Sequence, residues 1–288
     1  MFSRLTVSKV MARFRKNRAF IEELMMSDLA ERKLIDTSLR YIDDLGLMLP
    51  PPAPRMATLL APAIQSTLGS LPSAQNQDAG AVLDDSLLAF TGGLSDQNRD
   101  DVMDSLLLMQ LAASKKYNKE KEANQWYSFY HDGLSRLGWL TTARTFQDYS
   151  PHQSSFTMDE IALEIIAQVG GPNFAHVARK AATALANNEK ALRVFEKSGS
   201  SEQVASFKML PCVQTAQGDV VMMLNFMNFV KTARTKKVLF FTFNRDQVRI
   251  TRSADRVQLN ARQYANLRQS VSQKLGRIGE AFIEGLEI

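Results

Sequence analysis

Apolar positions in the first half of the chain recur three to four residues apart, the spacing of helices with one buried face. From Val7 to Met26 the stripe is Val10, Phe14, Ile21, Leu24 and Met25. Ser27 and Asp28 are placed to cap a following helix, along which Leu29, Ile35, Leu39 and Ile42 align and which Gly46 ends. Pro50, Pro51, Pro52 and Pro54 form a stiff extended connector. A short apolar stretch, Met56 to Leu68, and a polar loop, Gly69 to Gly80, come next. From Ala81 to Leu140 the pattern predicts helix again, interrupted at Gly92-Gly93 and restarted by Ser95 or Asp96. Val102, Leu106, Met109 and Ala113 share one face, and the last helix of this half is aromatic, with Trp126, Phe129, Tyr130, Leu134 and Leu137.

A polar link containing Pro151, Gln147 to Ser155, divides the chain into a helical region, 1–150, and a mixed helix-sheet region, 151–288, which together can form one compact unit. In the second region Met158–Val169 reads as a helix ended by Gly170-Gly171. Pro172 then opens a helix carrying Phe174, Val177, Ala181, Leu185, Leu192 and Phe195, with Gly199 at its C′ position. Strands are expected at Val204–Val213, Val220–Val230, Lys237–Phe243 and Gln247–Thr251, with a fifth around Val257–Leu259. A final helix runs from Arg262 to about Glu284.

The second of these strands is apolar on both faces: Val220, Met222, Leu224 and Phe226 alternate with Val221, Met223, Met227 and Phe229. Such a strand must be covered on both sides. The expected fold class is therefore α+β. A helical N-terminal half is joined to a mostly antiparallel sheet of about four to five strands, buried between helices in the C-terminal half.

With 288 residues, 45% of them apolar and 23% charged, the chain can build a sizeable core without staples. Its single cysteine, Cys212, excludes an internal disulfide and suits a reducing cytoplasm. The basic start is not followed by an apolar run of about 7–15 residues, so no signal peptide is expected. No stretch reaches the roughly 18 apolar residues of a membrane span.

Common catalytic signatures are missing. There is no phosphate loop, no G-x-G-x-x-G after a strand, no H-E-x-x-H, no paired C-x-x-C and no G-x-S-x-G elbow. Neither a metal nor a nucleotide is expected. Asp43-Asp44, Asp84-Asp85 and Asp100-Asp101 are adjacent pairs, which do not share a helix face, and read as solvated helix starts and surfaces.

Four constellations remain. The basic N-terminus, with Arg4, Lys9, Arg13, Arg15, Lys16 and Arg18, is amphipathic and can contact an anionic surface through Arg13, Arg15 and Lys16; the plainer reading is a solvated helix face. A second basic run, Lys231, Arg234, Lys236, Lys237, Arg245, Arg249, Arg252 and Arg256, either binds anions or guards strand edges. The aromatic helix from Trp126 to Trp139 reads first as core. Cys212, in Leu210-Pro211-Cys212-Val213, sits where Pro211 implies an edge strand or a bulge; a free cysteine there is ordinarily a buried small apolar residue. A catalytic thiol would need a base, and His176 and His131 are the candidates.

In size, in its helical first half and buried strands, and in the lone cysteine of Leu210-Pro211-Cys212-Val213, the chain resembles the Erwinia virulence factor (Evf) family, bacterial proteins that promote colonisation of an insect gut. The resemblance implies a palmitoyl chain held as a thioester on Cys212 and buried inside a non-enzymatic protein of the bacterial cytoplasm, with release or membrane association to follow. Burying such a chain would contribute on the order of 10 kcal/mol before costs, at about 0.8 kcal/mol per methylene. Val220, Met222, Met223, Leu224, Met227 and Phe241 are candidates to line it. A fatty acid is then the expected ligand, an anionic membrane surface a second partner, the host factor is open, and nucleic acid is not expected. The competing functions are an acyl-transfer enzyme with Cys212 as nucleophile, and a module that binds anionic surfaces or nucleic acid.

Overall fold

A computed structural model describes residues 25–48, 77–142, 144–201, 203–232 and 235–276, together with the backbone of 283–287. The basic N-terminus with Arg13, Arg15 and Lys16, the proline connector, the stretch Met56–Leu68 and most of the loop expected up to Gly80 lie outside these residues. The chain divides into two units, Met1–Asp44 and Leu45–Ile288. In the first, helix α1 covers 25–44, ending two residues before Gly46. It runs through Ser27 and Asp28, which therefore do not cap it. Asp28 is instead ion-paired to Arg32 one turn on at 3.0 Å, as Asp36 is to Arg40 at 2.7 Å.

The second unit is the α+β body. Its sheet runs β10-β1-β2-β6-β7-β9-β3, with β4 also paired to β9. The strands are β1 (Ala79–Leu83), β2 (Ser86–Phe90), β3 (Trp139–Leu140), β4 (Gln147–Tyr149), β6 (Val204–Gln214), β7 (Val220–Lys231), β9 (Val248–Leu259) and β10 (Ile283–Glu287). β5 (Ser155–Phe156) and β8 (Phe243–Asn244) form a separate small ladder. Among the described residues of the sheet, only β2 and β6 pair in parallel. The helices are α2 (Asp96–Lys116), α3 (Ala123–Arg136), α4 (Met158–Gly170), α5 (Pro172–Ala186), α6 (Glu189–Gly199) and α7 (Ala261–Leu275).

Alternation along β7 decides the layering. Val221, Met223, Met227 and Phe229 join the core made with α4, α5 and α6. Phe226 instead stacks on Tyr127 of α3, with ring centroids 4.3 Å apart. α2 lies on that second face too, where Ser86 donates to Gln110 at 3.1 Å, and α7 is tied to α2 by a two-pronged Arg268–Asp101 pair at 2.7 Å. The central sheet is thus covered on both sides, as its two-sided apolar strands require. Residues on either side of 150 share it through β2 and β6.

Several elements differ from the sequence expectation. Residues 81–90, read as helix, and 79–80, read as the end of a loop, form a hairpin whose turn holds Asp84 at φ 56. Both its strands are fully buried, and a short two-sided strand has no period to separate it from buried helix. The helix expected to span Pro172 to Phe195 breaks at Asn187-Asn188, where Asn188 caps α6 by accepting from Ala191 N. Lys237–Phe243 is not a strand, because the Leu239 carbonyl accepts from Met158 and Asp159 at the start of α4. Val238 and Leu239 still bury their side chains. The two strands expected at Gln247–Thr251 and Val257–Leu259 are one continuous β9, whose polar middle is absorbed by partners: Asp255 accepts from the backbone and hydroxyl of Thr142. The last helix stops at Leu275, and the chain continues into β10.

Candidate functional site

β6 carries the lone cysteine. It is an interior strand and not the edge or bulge that Pro211 implied. Cys212 O accepts from Thr91 N at 3.1 Å, so Cys212 turns its backbone to β2 and Pro211 turns its own to β7. Proline has no N–H, and the ladder to β7 is skipped at residues 210–211 and resumes at Cys212↔Met222. One missing bond is thereby confined to one side of the strand.

The Cys212 thiol faces the α2–α3 side, between Phe90 of β2 and Met222 of β7 in the adjoining strands. All three are completely buried. The thiol donates weakly to Leu210 O at 3.5 Å, and burial pushes its pKa up, which disfavours the thiolate. Of the residues named as lining, Val220, Met222 and Leu224 share this face. Met223, Met227 and Phe241 belong to the other: Met223 packs on the α4 C-terminus at Gly170, and Phe241 meets Phe243 edge-on in the α4–α6 core. The sheet separates these two sets, so they do not meet around Cys212.

Neither histidine is placed as its base. His176 is exposed on α5, across the sheet. His131 is buried on α3, and its Nε2 lies 3.6 Å from Asp255 of β9, two strands away from β6. The aromatic segment is core: Trp126, Tyr127 and Tyr130 on α3, and Trp139, which opens β3 rather than ending the helix, are all within 1% of complete burial. Arg234 lies outside the described residues, and the rest of the second basic run is scattered. Lys231 is buried and donates to Ser200 Oγ at 2.7 Å and to Thr235 O, while Arg252 and Arg256 lie over the Tyr149 and Phe174 rings. Arg245 and Arg249 line a cleft of about 510 Å³ beside Asp148 and Asp246.

A charged cluster that no sequence pattern marks lies on the same sheet face as Cys212. Lys208, four residues before it on β6, is completely buried. Its Nζ donates to Asp85 Oδ1 at 2.7 Å, and Lys119 donates to the other oxygen of the same carboxylate. The Trp126 ring centroid lies 4.4 Å from the Lys119 ammonium and 4.6 Å from that of Lys208, near enough for cation–π attraction. Burial, opposed by Asp85, lowers the Lys208 pKa to about 8. Burial would raise the Asp85 carboxyl, but the two ammoniums outweigh it and hold it below the usual carboxylate value. Asp84-Asp85 is therefore not a solvated pair. Asp101, paired with Arg268, is likewise buried.

Lys119 alone of this cluster lines a cleft of about 470 Å³. Its walls are the end of α2, the loop with Asn118, Lys119 and Glu120, the end of α6 from Lys197 to Gly199, and the start of β6. No sequence motif marks it, because its parts come from four separate segments.

No protein family and no curated protein matches the chain. Two of the solved structures that resemble the chain, both at low identity, are the following. One is described as the structure of the Evf virulence factor, with a TM-score of 0.34, 12% identity, and coverage of 77% of this chain and 89% of that one. The other is a delta-endotoxin, with a TM-score of 0.36, 14% identity, and coverage of 62% and 82% respectively. At these scores the likeness assigns the chain to no family and no activity.

Proposed function

We propose that the protein is a non-enzymatic, virulence-associated bacterial protein of the kind that promotes colonisation of an insect gut, and that it carries a fatty acyl chain, palmitate by its resemblance, as a thioester on Cys212. The observation that supports this reading is the position of the thiol. It is completely buried on an apolar sheet face between Phe90 and Met222, and burial holds it in the protonated form. A nucleophile that turned over an acyl donor would need access and an adjacent base. A stable internal lipid needs neither. The acyl chain would run between the sheet and α2 and α3, beside Met222 and Leu224, with Met223, Met227 and Phe241 outside its path.

The test is the intact mass of protein purified from a bacterial host. An excess of one long acyl group, removed by hydroxylamine after unfolding, is the expected result. The bare-chain mass refutes the lipid. An adduct that exchanges with added acyl donor in the folded state would instead favour acyl transfer.

A further inference from the structure

His131 of α3 is buried, and neither of its ring nitrogens has a hydrogen-bond partner among the described residues. Nε2 lies 3.6 Å from Asp255 Oδ2, and Nδ1 lies 3.7 Å from Asp132 Oδ1. Both distances exceed a hydrogen bond. The same two oxygens hold the residues that follow β3. Asp255 Oδ2 accepts from Thr142 N at 3.0 Å, with the Thr142 hydroxyl on Oδ1 at 2.7 Å, and Asp132 Oδ1 is paired with Arg144.

A neutral imidazole buried with its N–H unpaired is costly, whereas an imidazolium has two N–H groups and here faces a carboxylate on each side. Charge-assisted N–H···O bonds close to about 2.7–2.9 Å, so a proton on His131 draws each oxygen nearer by roughly 0.7 Å or more. That movement is away from Thr142 and Arg144, and the new charge also repels the Arg144 guanidinium.

The other groups around the ring are accounted for. On α3, the Tyr127 ring lies 6.0 Å away and Arg136 is exposed. On β9, Arg252 and Arg256 reach the Tyr149 and Phe174 rings on the opposite sheet face, and β7 sets Leu224 beside Asp255. Phe146, after Arg144, meets Tyr127 edge-on. α2, which also packs on α3, directs Asp101 to Arg268 of α7 and Lys116 to the Phe129 ring.

We propose that His131 is a proton-operated switch: charging its imidazole draws Asp255 and Asp132 to the ring and loosens their hold on Thr142 and Arg144. Histidine is the side chain that ordinarily changes charge between about pH 5 and 8, so mild acid operates it. The switch does not depend on an acyl chain at Cys212.

Amide hydrogen exchange of the full chain, followed by NMR from about pH 8 to about pH 5 and expressed as protection over the unstructured rate at each pH, tests it. Protection of the Thr142 amide should fall about three- to tenfold on acidification, the net worth of one hydrogen bond. The Thr91 amide, bonded to Cys212 O at 3.1 Å, should keep its protection. In His131→Gln, which cannot take the proton, Thr142 should stay level. If that variant does not fold, the ring-nitrogen shifts of His131 in the parent carry the test, and they should show the second proton arriving while the chain is folded. Thr142 protection that is level in the parent overturns the proposal. So does an equal fall at Thr91 or in His131→Gln, or an imidazole that stays neutral down to about pH 5.

Discussion

Asp85 and Lys208 meet at 2.7 Å across 123 residues of chain, with neither side chain reached by solvent. The contact joins the β1–β2 turn to the middle of β6 beneath Trp126. Removing one member of such a pair leaves the other buried without its partner. Asp85→Ala, which strands two ammoniums, should cost about 3–5 kcal/mol of unfolding free energy. Lys208→Met should cost less, because Lys119 still pairs Asp85. The double variant Asp85→Leu with Lys208→Met should recover part of the loss, since an apolar replacement removes both desolvation terms. Urea unfolding at pH 7 checks all three.

The same lysine makes stability depend on pH. Its folded pKa, about 8, lies below the ordinary lysine value of 10.5. Between these values the unfolded chain holds a proton that the folded chain has released, so Lys208 makes stability rise as pH rises through that window. Lys231, also lowered by burial, acts in the same sense. Cys212, Tyr127 and Tyr130 act oppositely at higher pH, because burial keeps them protonated when folded. The stability difference between the parent and Lys208→Met therefore isolates the lysine. It should move in the parent's favour from pH 8 to about 10, and a flat difference would contradict the assignment.

Asp104 titrates in the other direction. Burial, then Asp100 and Asp101, raise its carboxyl from 3.8 to about 6. Between these values the folded chain binds the extra proton, so its contribution to stability is lost as pH rises through 6. Asp104→Asn should be more stable than the parent at pH 7, by a margin on the order of 1 kcal/mol given its partial exposure. The advantage should shrink towards pH 4. Thermal midpoints at the two pH values measure this.

Legibility followed the period of the pattern. β7 was readable because both its faces are apolar over a long run, and β6 because Gln217-Gly218-Asp219 bounds it. The hairpin 79–90 was not: each strand has five residues, and the Asp84-Asp85 turn looked like a helix start. β9 reads as two strands in the sequence because Ser253 and Asp255 interrupt its apolar character; the unbroken ladder to β7 carries it through, and Thr142 satisfies Asp255. Burial of Cys212 was visible in its flanking residues. Burial of Lys208 was not, because nothing local in Phe207-Lys208-Met209 names a partner as distant as Asp85.

Arg268 grips Asp101 through both carboxylate oxygens, linking α7 to α2. Asp101 is 2% exposed, so Arg268→Ala should cost about 3 kcal/mol by stranding that charge. Arg268→Lys should restore only part of it, because an ammonium cannot present the two-pronged geometry. Chemical denaturation of the three proteins orders them.

Cys212 itself distinguishes the competing functions. The thiol fills a fully buried place between Phe90 and Met222, so serine changes little in volume. If an acyl chain is attached there, Cys212→Ser loses a large apolar body, and the empty space costs stability in proportion to its volume. That variant should melt lower than the parent, lack the acyl mass and fail in an infection assay. A catalytic thiol would behave differently, with stability kept and turnover gone. A plain core cysteine would incur only the modest cost of burying a hydroxyl, with activity intact. Burial adds a further consequence. Because no solvent reaches the thiol in the folded chain, an acyl group, if one is attached, must be added before the sheet closes against α2 and α3. Protein stripped by hydroxylamine in denaturant and then refolded should not regain its lipid from an added acyl donor. The same protein should accept an alkylating reagent at Cys212 only while unfolded. A stable, unmodified and fully active Cys212→Ser protein would refute the acyl-thioester reading.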